Sequence, residues 1–587
     1  MIKRFILRGG LVLLMLAVMV ASVLDTQEVR AAGGTTSLII GGLSYEALAN
    51  GSDEYNTLSG AYEWSAAFAA RKYQVVSTPG TFSSLQVELT GIPGTNPYRI
   101  TLMKNGVATA LYVDIAADGT QATNTSNDVA VVAGDYVYLK SSRPSGNPDN
   151  TPSARWSIQF ESTNANESIY MRNFTTNAAA VSYTPLSGGG NVSAMAAELQ
   201  CYQVIPTAGK IKNMYIRLDG APGAGTSYNF RLRIDGVDTA LQANVADAGT
   251  TGSDVANEVV VNAGDKVTVA ITPVGAPAER KGSVGVTFVA NNADEFIILG
   301  QSGNQNNNTN VRYSMIATVT GVNGWGYDTV ESTQVQNGQK GFVLSDFYVY
   351  QQNAPGAGKS FVFDVRNDAG NTGISVEVAD AAKTDSDVVN TYKINDDYAD
   401  LVLKCTPSGT PAVGYTHWGL VGLYDPVSIP TLTTSAATSV TYNSAVGNGN
   451  ITDTGGENPA TRGFCYSTVN NPPTIADSLT NEAGSFGAGA YTLNITGLEE
   501  DTVYYVRSYA TNSAGTGYGT TQTFTTIIGY PISRVIPLAF IFVGVILLLA
   551  LVFVDGINIK GLIYIVIIIY ALTALLAGIN FMVRNLL

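Results

Sequence analysis

The chain has 587 residues, with 46 acidic against 32 basic side chains, a net charge of −14 and a pI near 4.6. This length corresponds to about three to five domains. Charged residues make up only 13%, beside 61 glycines and 31 tyrosines, which is the composition of a loop-rich β protein. The acidic balance argues against nucleic-acid binding, because phosphates are neutralised by clustered Lys and Arg. One histidine and three cysteines leave little material for zinc sites or histidine-based catalysis.

Residues 1–31 have the pattern of a secretory signal peptide. A positive start with Lys3, Arg4 and Arg8 precedes the apolar run 11–24, and small residues come next at a cleavage position. An uncleaved signal anchor is the alternative. Under both interpretations the remainder of the chain is exported, so we expect an exported ectodomain.

The next part of the chain is repetitive. Tyr73-Gln74-Val75 recurs as Tyr202-Gln203-Val204, and Ala133-Gly134-Asp135 recurs as Ala263-Gly264-Asp265, both at an offset of about 130 residues. A third, more diverged copy shares the Pro-Gly-Ala-Gly turn of the second. We therefore predict three repeats, with boundaries at 35–165, 166–292 and 293–426.

Each copy has the pattern of an antiparallel β-sandwich. Leu85, Val87 and Leu89 alternate with polar residues, as expected where one face of a strand is buried and the other is wet. Each copy also opens with a short apolar strand, at 37–40, 168–171 and 295–299. The strand number and copy length predict jelly-roll-like sandwiches.

A different module occupies about 428–527. Leu498, Thr502 and Tyr504 match an L-x-P-x-T-x-Y pattern, with Glu500 at the usual proline. The module resembles the fibronectin type III-like modules of bacterial surface and secreted proteins. The resemblance implies a sandwich that serves as a spacer or binding module, in which the tyrosine ties down a strand corner.

The repeats 35–426 are also similar to tandem sandwich repeats of uncharacterised phage, viral and environmental microbial surface proteins. The shared features are the Pro-Gly-x-Gly turn, the Gly-x-x-Thr-Ala-Leu stretch and the Ala-Gly-Asp turn. This resemblance implies surface exposure and adhesion.

Two apolar runs end the chain, at 535–554 and 562–582. Each is long enough to cross a bilayer as a helix, and neither contains an ionisable residue. The expected fold class is therefore an all-β ectodomain of tandem antiparallel β-sandwiches followed by a two-helix transmembrane hairpin. Membrane lipid is the partner expected for this hairpin.

Few residues suggest chemistry. His417 is the only histidine, and we interpret it as structural because no nucleophile motif accompanies it. Cys201, Cys405 and Cys465 lie in three different modules and are interpreted as small buried side chains.

Several aspartates recur at equivalent places in the copies. They are Asp128, Asp254 and Asp387, and the pair Asp135 and Asp265. Oxygen ligands in exposed turns suit Ca²⁺, whereas capping of the turns explains the same pattern equally well. Both interpretations stay open, and no other cofactor is predicted.

The expected function is non-enzymatic adhesion or structural presentation at a cell surface. A row of sandwiches would place the first copy outermost, where Tyr45, Tyr55, Tyr62 and Trp64 are predicted to form a contact surface. The partner is an extracellular ligand, a glycan or a neighbouring subunit, and a homo-oligomer is left open. The alternatives are a virion-membrane spike or receptor-binding protein, which would place the chain in a virion envelope, and an anchored glycan-processing enzyme.

Overall fold

The computed structural model describes residues 34–59, 64–66, 72–188, 195–302, 309–317, 329–425 and 427–529, together with 564, 567, 568 and 571. The chain divides into two compact units, of which one holds the three repeats and the other begins at Val427. Both units are built from antiparallel strands. The predicted tandem β-sandwiches are therefore present.

The first copy consists of two antiparallel sheets around one hydrophobic core. Its strands are β1 (Thr36–Ala47), β2 (Glu54–Asn56), β3 (Gln74–Val75), β4 (Gly80–Leu89), β5 (Tyr98–Lys104), β6 (Val107–Ile115), β7 (Gln121–Asn124), β8 (Val129–Val131), β9 (Tyr136–Ser142) and β10 (Ser153–Ser162). One sheet has the order β1-β10-β4-β7, with β8 also paired to β4. The other has the order β2-β9-β5-β6, with β3 also paired to β9.

The second copy repeats this order as β11-β19-β14-β17 and β12-β18-β15-β16, with β13 also paired to β18. Its strands are β11 (Glu167–Thr175), β12 (Ser182–Thr184), β13 (Gln203–Val204), β14 (Gly209–Leu218), β15 (Gly223–Ile234), β16 (Val237–Asp247), β17 (Thr251–Val261), β18 (Lys266–Val274) and β19 (Lys281–Ala290). A 3₁₀ turn, Glu198–Gln200, precedes β13.

The third copy has the same order again, as β20-β29-β23-β26 and β21-β28-β24-β25. Its strands are β20 (Glu295–Gln301), β21 (Arg312–Ser314), β22 (Gln336–Gly338), β23 (Phe342–Gln351), β24 (Gly356–Asn367), β25 (Gly370–Asp380), β26 (Thr384–Asp387), β27 (Tyr392–Ile394), β28 (Ala399–Ser408) and β29 (Thr416–Tyr424), with a 3₁₀ turn at Glu331–Thr333. In each copy the strands are distributed over the two sheets in the order of a jelly roll. Tyr73 and Tyr202 both directly precede the equivalent short strands β3 and β13, as the repeats predict.

One core position is filled in two ways in the three copies. In the first copy the Trp156 indole N–H donates to Leu58 O (2.8 Å), and its ring lies over Gly41, where a Cβ would be 2.4 Å from the indole nitrogen. The third copy repeats this with Trp418 over Gly300, where a Cβ would be 2.0 Å from the indole nitrogen. The glycines are required because the tryptophan rings occupy the space of a side chain.

In the second copy the equivalent pair is Arg172 and Val284, which face each other across β11 and β19. Arg172 is fully buried, at 1% exposure. The second copy therefore has a long residue, Arg172, where the other copies have glycine, and a smaller residue, Val284, where they have tryptophan. The exchange preserves the filled volume that a close-packed core requires.

The second unit is a smaller sandwich with the sheets β30-β31-β34 and β33-β32-β35-β36, and with β37 also paired to β35. Its strands are β30 (Thr431–Thr438), β31 (Ser444–Asp453), β32 (Thr461–Ser467), β33 (Ser478–Ala483), β34 (Gly489–Thr496), β35 (Val503–Asn512), β36 (Gly515–Tyr518) and β37 (Gln522–Thr525). The Tyr504 hydroxyl accepts a hydrogen bond from Glu499 N (2.9 Å). This is the strand-corner role that the resemblance implied for Tyr504.

The predicted fold class is wrong in its last part, the two-helix transmembrane hairpin at 535–554 and 562–582. Within the described residues, no helix is long and apolar enough to span a membrane. Apolar length meets only one condition for a span, which also needs a continuous helix of about 20 residues. Residues 535–554 and most of 562–582 lie outside the described residues, as does the predicted signal peptide at 1–31. The expected lipid partner and the C-terminal membrane anchor are withdrawn with the hairpin.

Candidate functional site

The opening strands β1, β11 and β20 each pack against a neighbouring copy as well as their own. Leu38 and Ile40 of β1 belong to the hydrophobic core of the third copy. The residues that reach a neighbouring core from β11 and β20 are Ile169 and Met171, in the core of the first copy, and Ile297 and Leu299, in that of the second. The three copies therefore contact one another in a closed cycle, and the expected row with the first copy outermost is wrong.

A small cavity of about 50 Å³ lies where the three opening strands meet. Its walls are mostly apolar, with Ser59 and Ser187 at equivalent places in the first two copies and Ala317 in the third. Tyr170 of the second copy lies in the wall. Its hydroxyl donates to Ile297 O (2.9 Å) and accepts from Ile297 N (2.7 Å), which joins the second and third copies at the centre.

We call the three contacts between copies seams 1–2, 2–3 and 3–1. At each seam the short strand β3, β13 or β22 lies against the next copy's strand β19, β29 or β10. At seam 1–2 the backbone of Val75 approaches so closely that a Cβ on Gly285 would be 2.2 Å from Val75 O. At seam 2–3 a Cβ on Gly419 would be 2.0 Å from Val204 O.

The same structural positions carry different chemistry at each seam. At seam 1–2 the Arg217 guanidinium lies over the rings of Tyr136 (4.5 Å) and Tyr73 (5.7 Å). At seam 2–3 the equivalent pair is reversed, with the Lys266 ammonium over the Tyr350 ring at 5.2 Å. Both are cation–π contacts, which gain strength where water is excluded.

Seam 3–1 is ionic at these positions. Arg155 of the first copy pairs with Asp400 of the third (2.5 Å) and with Glu88 of its own copy (2.6 Å). Burial raises the pKa of Asp400 and of Glu88, and the Arg155 charge opposes that shift. Asp400 and Glu88 hold the positions of Lys266 and Tyr350, so a residue that suits one seam has the wrong partner at another.

A hydrogen-bonded glutamate lies at the junction between the first and second copies, and another lies at the junction between the second and third. Glu167 accepts from Asn164 Nδ2 (3.0 Å) and the Thr78 hydroxyl, and pairs with Lys212 (2.7 Å). Burial alone would raise the pKa of Glu167, but the bonds from Lys212, Thr78 and Asn164 lower it. The carboxylate is therefore charged and holds two copies and their linker together.

The junction between the second and third copies repeats this arrangement. Glu295 accepts from Asn292 Nδ2 (2.8 Å) and from the Thr207 hydroxyl (3.0 Å). Both junctions carry the pattern Asn-Ala-x-Glu, at 164–167 and 292–295. Sequence analysis missed this signal, although the pattern is visible in the chain.

Two of the recurrent aspartates, Asp254 and Asp387, cap turns. Asp254 accepts from the backbone N–H groups of Gln242 (2.9 Å) and Asn257 (3.1 Å), and the Asp387 carboxylate likewise accepts from Ser375 N (3.0 Å). Burial opposes the shift, but these bonds lower the pKa of both carboxyl groups. In the part of the chain that the structure describes, no three His, Cys, Asp or Glu side chains are grouped to hold a metal ion.

The predicted aromatic contact surface is only partly described. Trp64 lies in the core of the first copy, 5.4 Å from the Trp156 ring. Tyr55 is half-buried and packs against Tyr138 at 5.9 Å in a separate small cluster. Tyr62 and the side chain of Tyr45 lie outside the described residues, so a contact surface at these positions stays a prediction.

The cysteines are buried, free thiols, as interpreted from the sequence. Cys201, Cys405 and Cys465 are all unpaired. Burial raises the pKa of each thiol, to about 12 for Cys201. A thiol with a raised pKa has little thiolate at neutral pH and is a poor nucleophile.

No family model matches the chain, and a search of curated proteins found no relative. Solved structures similar to parts of it include the sensor domain of the anti-sigma factor RsgI4 of Pseudobacteroides cellulosolvens (19% identity, 18% of this chain, 99% of that one, TM-score 0.15). The fibronectin type III domain of human KIAA0970 protein is similar at 12% identity over 17% of this chain and 76% of that one, with a TM-score of 0.13. The chicken CNTN1 FN1–FN3 domains are similar at 11% identity over 53% of this chain and 97% of that one, with a TM-score of 0.15. At these TM-scores the similarities carry no further argument.

The ion pair at seam 3–1 predicts a large difference between two arginines. We expect Arg155→Ala to lower the free energy of unfolding by about 2–3 kcal/mol, because it leaves Asp400 and Glu88 without their counter-charge. The control Arg99→Ala removes an exposed pair with Asp114 inside the first copy (2.7 Å) and should cost less than about 1 kcal/mol. Denaturant unfolding measures both variants, and equal losses would contradict the assignment of Arg155 to the seam.

Proposed function

We propose that the first unit is a three-lobed, non-enzymatic binding head that acts outside the cell in adhesion or structural presentation. The observation that carries the proposal is the closed cycle of three jelly rolls, each packed into the core of the next. The cycle holds the three copies in a fixed mutual geometry. The signal pattern at 1–31 supports export.

Fixed repetition favours binding to repetitive surfaces. When one loop has bound, the others are presented at a high effective concentration, and overall affinity can exceed that of a single site by about 10²–10⁴. Rigid seams contribute because little conformational entropy is lost on the second and third contacts. Polysaccharides and arrays of identical subunits are the partner classes that repeat in this way.

The placement of His417 supports a non-enzymatic role. The side chain is fully buried, and the nearest rings are Tyr350 at 5.8 Å and Tyr202 at 6.0 Å. A general base must lie within hydrogen-bond reach of a substrate proton. A buried imidazole between two tyrosines does not meet this condition.

The experiment is a binding screen of the full chain on immobilised polysaccharides and intact cells at two coating densities. We expect saturable binding whose dissociation slows sharply on the dense coating, and no cleavage of the polysaccharide. Dissociation rates that do not depend on density would contradict a three-lobed head. Release of soluble sugar would favour the enzyme instead.

A further inference from the structure

One seam position differs among the copies in a way that bears on pH. In β10 it is Arg155, which is paired with Asp400 across seam 3–1. In β19 it is Ser283, whose hydroxyl accepts a hydrogen bond from Val75 N across seam 1–2 (3.0 Å). In β29 it is His417, at seam 2–3. The three equivalent places thus hold different groups. Arg155 is a permanent cation with a carboxylate partner, Ser283 is neutral, and His417 can be titrated.

On balance, the surroundings of His417 favour the neutral ring. It stacks on Tyr350 of its own copy and meets the Tyr202 ring of the second copy edge-on. Backbone groups of Tyr202 and Leu199 favour the charged form, but burial of the ring outweighs them and lowers the pKa of His417. Neither ring nitrogen has a hydrogen-bonding partner of normal geometry among the described residues.

The charges around the ring oppose a second cation. Lys266, across the seam on β18, is the charged group that acts on the imidazole among the residues described. The carboxylates near Tyr202 are engaged elsewhere, with Asp235 in an ion pair with Lys266 and Glu198 in one with Arg233 (2.8 Å). At seam 3–1, Asp400 balances the charge of Arg155. At seam 2–3 the position of Asp400 is held by Lys266, which has the opposite charge.

We propose that acidification shifts seam 2–3 towards an open form, and that protonation of His417 drives this shift. A protonated ring would be a buried cation without a carboxylate of its own, because Asp235 is paired with Lys266. Opening of the seam hydrates the ring and separates it from Lys266. Seams 1–2 and 3–1 carry no histidine and keep their contacts.

The direction follows from linkage. Burial, with a smaller contribution from Lys266, lowers the pKa of His417 to about 4, whereas a hydrated imidazole has a pKa of about 6.5. The open seam therefore binds the proton more tightly, and the closed form loses stability as pH falls from about 6.5 towards 4. Between pH 7 and pH 5 the open-to-closed ratio should rise about twenty-fold.

Because His417 is the only histidine in the chain, its titration can be observed without assignment. The first measurement is an NMR titration of imidazole-labelled full chain. We expect a pKa well below 6.5, and a Lys266→Met variant should titrate at higher pH than the wild type. A value at or above 6.5 in the wild type would overturn the proposal.

The second measurement is amide hydrogen exchange at pH 7 and pH 5, corrected for the intrinsic rates. Protection of β13 and β29 should fall at pH 5, whereas β3 and β19 of seam 1–2 serve as the internal control. His417→Phe keeps the aromatic packing and should lose the pH response, and His417→Arg should show the open seam already at pH 7. Equal changes at both seams, or an unchanged response in His417→Phe, would also overturn the proposal.

Discussion

Replacement of Gly419 by alanine is expected to lower the free energy of unfolding by about 3 kcal/mol and to reduce the protection of seam 2–3. The added Cβ would be 2.0 Å from Val204 O, and that oxygen belongs to a strand that cannot shift without breaking its own pairing. Overpacking that forces side chains or backbone to shift costs about 1–3 kcal/mol and occasionally more. Denaturant unfolding together with hydrogen exchange at β13 measures the effect.

Gly91 supplies the matched control, because a Cβ there would meet nothing within 4 Å. Gly91→Ala should change stability by less than about 0.5 kcal/mol. Gly285→Ala, whose Cβ would be 2.2 Å from Val75 O, should affect seam 1–2 in the same way. If Gly419→Ala were as stable as Gly91→Ala, the close backbone approach at the seam would be incorrect.

Trp418→Val is expected to lower the free energy of unfolding by about 3–5 kcal/mol. It removes a fully buried ring and the hydrogen bond from its indole N–H to Ile316 O (2.8 Å). The cavity that remains lies opposite Gly300, which has no side chain to fill it. Thermal or denaturant unfolding of the full chain measures the loss.

The second copy suggests how this loss can be reversed. There the equivalent pair is Arg172 and Val284, so Gly300→Arg combined with Trp418→Val should recover at least about 2 kcal/mol relative to the sum of the single variants. Gly300→Arg alone should be strongly destabilising, because its side chain would overlap the Trp418 ring. Additive losses would show that the two fillings are not interchangeable.

Much of the fold can be predicted from local patterns. Alternation such as that of Leu85, Val87 and Leu89 predicts strands with one buried face, and the recurrence of Tyr73-Gln74-Val75 predicts copies of one topology. The closed cycle was missed, although a signal was present. The opening strands have no alternation, and an uninterrupted apolar run indicates a strand covered on both faces.

The candidate site was less predictable. Arg155 and Asp400 are 245 positions apart, and no local pattern marks two residues as partners across such a separation. The structural interpretation of His417 depended on the lack of a nucleophile motif, and its place at a seam needed the three copies in space. The expected transmembrane hairpin shows the opposite error, because apolar length was taken as sufficient for a spanning helix.

The covalent continuity of the three jelly rolls changes how their association responds to dilution. Three separate subunits would dissociate once their concentration fell below the dissociation constant of the contact. Copies joined by linkers as short as 163–166 and 291–294 meet at a local concentration that dilution does not change. In a trimer of identical subunits, each substitution appears three times. In a single chain it changes one copy only, so the three seams can differ in sequence. The three seams do differ in this way, with Arg155, Ser283 and His417 at equivalent positions.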